Sequence, residues 1–106
     1  LKNLKKKSIL INTSRGKVVN TDDVYLALKR KHLNYFATDV LEKEPPSNDN
    51  KLFTSWKNNE SWIKNRVLIT PHCAPFNIES YKELRTKAAL EVKDFIKNKK
   101  AKYSIF

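Results

Sequence analysis

The order of elements predicts an α/β protein built on a parallel sheet, and three features of the chain predict it. In residues 8–14 (SILINTS) an apolar centre of Ile9, Leu10 and Ile11 ends sharply in polar residues. An unbroken apolar run of this kind marks a parallel strand covered on both faces. Two further short runs, residues 35–40 (YFATDV) and 66–70 (RVLIT), read as strands. Helical periodicity occupies the stretches between and after them. The result is strand–helix–strand–loop–strand–helix, half of an α/β parallel sheet followed by a long helix.

The first strand leads into Ser14-Arg15-Gly16. Gly16 is the only glycine, so its position is expected to need unusual backbone angles or a close approach. Thr21 is a good N-cap for the next helix, and Asp22 and Asp23 suit the positive end of its dipole. Val24, Ala27 and Leu28 form its apolar face, with Lys29, Arg30 and Lys31 at its C-terminal end. Residues 42–50 contain Pro45, Pro46, Ser47 and Asn48 and read as a loop. Residues 51–65, with Phe53, Trp56, Trp62 and Ile63 among polar neighbours, read as a partly ordered loop with a short helical turn. Pro71 closes the third strand. Residues 78–99 form one long helix, because Tyr81, Leu84, Ala88, Val92 and Phe95 recur at helical spacing. The tail, AKYSIF, is expected to add a short strand or to hang free.

Composition narrows the classes. The 106 residues suit one small globular body with a modest core, and 40% are apolar. No apolar run approaches the ~20 residues of a membrane span, and no secretory leader is recognisable. The single cysteine, Cys73, rules out an internal disulfide and suits a reducing cytoplasm. The chain begins at Leu1 and contains no methionine, so it reads as a piece of a longer chain. Its formal charge of +11 raises the question of nucleic acid. The excess is mostly scattered lysine rather than clustered arginine with stacking aromatics, which favours solvated surface lysines.

Ligands of open parallel sheets sit at the C-terminal ends of the strands. Here the first strand ends at Thr13-Ser14-Arg15, the second at Asp39 with Glu44 in the following loop, and the third at His72. An arginine, two acids and a histidine at three strand ends are poorly explained by core packing. No metal-ligand spacing is present.

ILINTSRG, ATDVLEKEPP and VLITPH, in this order and spacing, resemble the signatures of D-isomer-specific 2-hydroxyacid dehydrogenases. The resemblance runs from Leu4 to about Lys100. The long tryptophan-containing loop and ELRTKAA are similar to the subgroup of phosphoglycerate-dehydrogenase-like enzymes and C-terminal binding protein corepressors. The resemblance implies the second half of a Rossmann-type doubly wound parallel sheet. Residues 1–76 would then be the C-terminal half of an NAD-binding domain, and 77–106 a helix and tail returning toward a substrate domain.

It also implies roles. Arg15 matches the arginine that holds the substrate carboxylate; a guanidinium fork binds planar oxyanions with two hydrogen bonds. His72 matches the general acid/base, a role for which histidine is the common residue type. Glu44 matches the acid paired with it, since a neighbouring carboxylate favours imidazolium and fixes the ring. Asp39, Thr13 and Ser14 match positions beside the nicotinamide of NAD, or of NADP. The substrate would be a small 2-hydroxy or 2-keto acid, and the parent a homodimer. The family's G-x-G-x-x-G phosphate loop is not in this chain. After His72 the run Cys-Ala-Pro-Phe replaces the small residues common in relatives, which reshapes the pocket wall. Cys73 is not read as a nucleophile, and His32 is read as a surface residue. Three alternatives remain: a cofactor-sensing regulatory protein on the same fold, a basic nucleic-acid module, and a nonfunctional truncated product with an uncovered strand edge.

Overall fold

A computed structural model describes residues 1–99; the residues of the tail AKYSIF lie outside the described residues. The chain divides into two compact units, the first Leu1–Cys73 and the second beginning at Ala74.

The first unit is a parallel sheet of β1 (Ser8–Asn12), β2 (Leu33–Thr38) and β3 (Val67–Ile69), in the order β1-β2-β3. Helix α1 (Thr21–Lys29) links β1 to β2, and helix α2 (Lys51–Lys57) lies between β2 and β3. The core is Val24, Ala27, Leu28, Leu33, Phe36, Leu52 and Ile63, with Leu10, Tyr25, Trp56, Trp62 and Val67 packed around it. Fully burying one such side chain contributes roughly 1.5–3 kcal/mol.

Several expectations need correction. The cap of α1 is Asn20, whose Oδ1 accepts from the Asp23 N–H at 2.9 Å. Thr21 is the first helical residue, and its N–H donates to Glu42 Oε1 at 2.6 Å. Glu42 thus closes a helix N-terminus from the next strand's loop. The short helical turn expected after residue 50 is a seven-residue helix capped by Asn50, whose Oδ1 accepts from Phe53 N–H at 2.9 Å. Strand β2 starts and ends two residues earlier than its apolar run suggests. Strand β1 is covered on one face only: Ile9 and Ile11 are 62% and 66% exposed. Tyr35, the register partner of Ile9, is exposed as well, as is Leu68 on β3. His32 is half-buried rather than superficial, and its Nε2 is enclosed with no hydrogen-bond partner among the described residues.

Arg66 ties the layers together. Its guanidinium donates to the carbonyls of Leu28, Leu33, Asn34 and Trp62, joining the end of α1 to the start of β2 and the approach to β3. Its apolar context makes it read as the edge of a strand.

In the second unit, α3 (Ile78–Asn98) occupies the expected stretch. Asn77 caps it by accepting from Ser80 N–H at 2.7 Å. Lys99 ends it in the left-handed conformation, donating its N–H to Phe95 O at 2.9 Å. Phe76 and Tyr81 rings touch at its start, and Lys87 pairs with Glu83 one turn away. None of its residues is buried; Leu84, Val92 and Phe95 of the periodic stripe are exposed. No helix among the described residues is long and apolar enough to cross a membrane.

Candidate active site

The site is assembled at the C-terminal ends of the three strands, where parallel alignment gathers loops on one edge of the sheet. At the end of β1, buried Asn12 folds the chain. Its Oδ1 accepts from both the N–H and the hydroxyl of Ser14, at 3.1 and 2.9 Å. Its Nδ2 donates to Arg15 O at 3.0 Å. Thr13, Ser14 and Arg15 are thereby presented to solvent. The Arg15 guanidinium folds back and donates to Ser14 O at 2.7 Å. A 3-10 turn, Gly16–Val18, follows.

Gly16 needs no unusual φ; it needs the close approach. A Cβ placed there would stand 1.9 Å from Leu41 O and 2.5 Å from Glu42 N. The turn after β1 and the loop after β2 therefore lie directly against each other.

At the end of β2, Thr38 Oγ1 donates within the chain to Val40 O at 2.6 Å, and the Asp39 N–H donates to Asn12 O at 3.0 Å. Asp39 is 4% exposed. Its Oδ1 accepts from Thr70 Oγ1 at 2.5 Å and from the Cys73 N–H at 2.9 Å. Two residues on, Leu41 N–H donates to Glu44 Oε1 at 2.7 Å, which curls the loop so that the other carboxylate oxygen faces β3.

That oxygen, Glu44 Oε2, lies 2.7 Å from His72 Nδ1. His72 follows β3 in a tight turn, with its N–H donating to Thr70 O at 3.0 Å and φ at 53°. The left-handed region is uncommon for residues with a Cβ, though His is among those enriched there. The two side chains are partly exposed, at 44% and 37%. They line a cleft of about 420 Å³ with Leu41, Phe53, Trp56 and Ile69 among its apolar walls. Helix α2 supplies two of those walls.

The hydrogen bond to His72, and then the Leu41 N–H, hold the Glu44 carboxyl below the usual carboxylate range. Glu60 and Glu83 are lowered too, mainly by bonds to Trp62 and Lys87. A carboxyl lowered on folding stabilises the fold fully above its unfolded pKa, and that contribution is lost as pH falls through the folded value. Denaturant midpoints are therefore expected to hold down to about pH 4.5, the ordinary glutamate value, and to decline below it. Glu44→Gln should soften the decline modestly, because the pair is solvent-screened. A urea series from pH 7 to pH 3 with unchanged acid sensitivity in the variant would contradict the pairing.

The structure thus brings together Glu44 and His72, and separately Asp39 with the turn that carries His72. Arg15 donates only to its neighbour's carbonyl among the described residues and does not line the Glu44–His72 cleft. Thr13 is exposed beside it. Residues missed in the sequence are Asn12, which bonds Ser14 and Arg15 just after its own strand, Thr38, which donates to Val40 O and Asn12 O, and Thr70, which donates to Asp39 Oδ1. Their only signal is that they are hydrogen-bonding residues at strand termini. The Cys73 thiol is free and exposed. Among the described residues no cluster of His, Cys, Asp and Glu could hold a metal ion.

A parallel α/β sheet with a carboxylate–imidazole pair among the polar groups at its strand ends falls in a class: open sheets whose ligands bind at the carboxyl edge. The family is more specific. Residues 1–74 match the model of the D-isomer specific 2-hydroxyacid dehydrogenase NAD binding domain, and the chain belongs to that family. A putative 2-hydroxyacid dehydrogenase of Haemophilus influenzae is 34% identical over 96 residues, covering 91% of this chain and 29% of the relative. A glyoxylate reductase of Aeropyrum pernix is 34% identical over 99 residues, covering 93% of this chain and 27% of the relative. The chain therefore spans little more than a quarter of these relatives. The fold matches a D-isomer specific 2-hydroxyacid dehydrogenase of Xanthobacter autotrophicus solved with NADPH, at a TM-score of 0.69 and 23% identity. That match covers 97% of this chain and 38% of the other.

Proposed function

We propose that this chain is the catalytic-residue half of the dinucleotide-binding domain of an NAD(P)-dependent D-2-hydroxyacid dehydrogenase. The observation that carries the reading is the 2.7 Å contact between Glu44 Oε2 and His72 Nδ1 at the strand ends. When bound, NAD(P)H supplies a hydride to the carbonyl carbon of a small 2-keto acid. Glu44 accepts a hydrogen bond from the His72 Nδ1–H, which fixes the ring and leaves Nε2 to give a proton to the keto oxygen or to take one from the hydroxyl. Arg15, exposed on a turn, can swing from Ser14 O to bind the substrate carboxylate with its fork. The apolar wall of Phe53, Trp56 and Ile69 keeps water from part of the cleft and strengthens these charges.

The polar, exposed end of β1 at Thr13 and Ser14, with Asp39 beyond it, suits the nicotinamide end of the cofactor. The pyrophosphate end has no counterpart here: the only glycine is pressed against the Leu41 peptide, so no glycine-rich loop can form from these residues. In this reading residues 77–106 return toward a substrate domain, and the whole protein is a cytoplasmic homodimer.

The test is an NAD(P)H-consumption assay with glyoxylate, run on the purified 106 residues and on the longer protein that contains them. The 106 residues alone are expected to show no turnover. In the longer protein, Arg15→Ala should lower kcat/KM by at least about 10- to 150-fold, the worth of one of the fork's two hydrogen bonds to a charged group. An Arg15→Ala enzyme with unchanged kcat/KM would remove the carboxylate-binding role.

A further inference from the structure

We propose that Asp39 is the positioning residue for His72: one buried carboxylate oxygen grips the turn on both sides of the imidazole and holds it against Glu44. The proposal rests on His72 as the acid/base, and adds what places it there.

The geometry is specific. Asp39 Oδ1 accepts from Thr70 Oγ1, two residues before His72, at 2.5 Å and from the Cys73 N–H, the residue after it, at 2.9 Å. Between these anchors His72 has a φ of 53°. A left-handed residue with a Cβ carries a backbone cost that its surroundings must offset. Here the surroundings are an ionisable group, 4% exposed, on the neighbouring strand end. Hydrogen bonds to a carboxylate shielded from water are the strong kind. Thr70 N–H is also held by Thr38 O at 3.0 Å, so the strand before the turn is pinned by β2 in two ways.

The spacing of Asp39 and Glu44 then has a physical meaning. Both leave the same end of β2, and both reach the same turn after β3. Asp39 fixes its backbone and Glu44 its side chain. Releasing the first should loosen the second.

The decisive readout is the titration of the Glu44 carboxyl, followed by carbon NMR in the full chain. Coulombic repulsion from Asp39 raises the Glu44 pKa, while the His72 bond lowers it. Removing the Asp39 charge alone would therefore shift Glu44 down. Loss of positioning would shift it up, toward the ordinary carboxylate value. Asp39→Ala is expected to move the midpoint up. Thr70→Val, which keeps the charge, should move it the same way, and Thr70→Ser should restore it. The Cys73 amide should exchange at least about tenfold faster in Asp39→Ala, with the Phe36 and Leu28 amides as controls for the fold. A downward or null shift in Glu44 would overturn the proposal. Where a variant fails to fold, the unaltered chain decides: a scalar coupling between the Cys73 amide nitrogen and the Asp39 carboxyl carbon is expected, and its absence is contrary. These readouts need no turnover, so an inactive parent enzyme would remove the dehydrogenase reading and leave this one standing.

Discussion

Gly16→Ala is expected to destabilise the first unit by about 3 kcal/mol or more, at the upper end of what overpacking costs. The added methyl would meet Leu41 O at 1.9 Å and Leu41 C at 2.1 Å. Both are backbone atoms, so no side chain can rotate away to relieve the clash. The loop after β2 would have to move bodily. That loop carries the Leu41 N–H that aims Glu44 and the Glu42 carboxylate that closes α1. A stability loss of this size is a large fraction of the ~5–15 kcal/mol that holds a small domain together. Chemical denaturation of the two forms measures it. A loss under about 0.5 kcal/mol would mean that the two loops are not packed as described.

The second large effect falls on chemistry rather than stability. His72→Asn removes the imidazole but keeps a side chain that tolerates φ near 53°. Because His72 is 44% exposed, little packing is lost. A positioned general acid/base contributes about 10²–10⁴ to the rate, so kcat/KM of the containing enzyme should fall by that factor, about 3–5 kcal/mol at 1.36 kcal/mol per decade. Glu44→Gln should give a smaller loss and an altered pH–rate profile, since it removes the partner that orients the ring. A His72→Asn enzyme within threefold of the parent would exclude this histidine from proton transfer.

How much of this was legible in the sequence depends on which partner each residue bonds. Apolar runs such as Ile9-Leu10-Ile11 and RVLIT announce strands because their neighbours are defined by periodicity alone. The polarity change at the end of each run placed Arg15, Glu44 and His72 on one edge of the sheet. Family resemblance, not spacing, assigned their roles. What stayed hidden depends on contacts distant in sequence. Asn20 rather than Thr21 caps α1, and the Thr21 N–H is taken by Glu42, 21 residues on. Helix α2 falls in a stretch whose sequence predicts only a short helical turn within a partly ordered loop. It is held by Asn50 and by burial of Leu52, which only the fold reveals. Arg66 looks like the polar edge of a strand, yet it donates to four carbonyls from three places in the chain. The outer face of β1 is equally instructive. Ile9 and Ile11 predict cover on both sides, and these residues leave that face open.

Hydride transfer itself is the most direct test of the central claim, that the Glu44–His72 pair serves a 2-hydroxyacid dehydrogenase. The measurement is mass spectrometry of the glycolate formed from glyoxylate and NADH, or NADPH, deuterated at both C4 positions, by the enzyme that contains this chain. The account predicts one deuterium on the carbinol carbon, formed at a rate that collapses in His72→Asn. Glycolate without deuterium, or deuterated glycolate formed as fast by the variant, would contradict it.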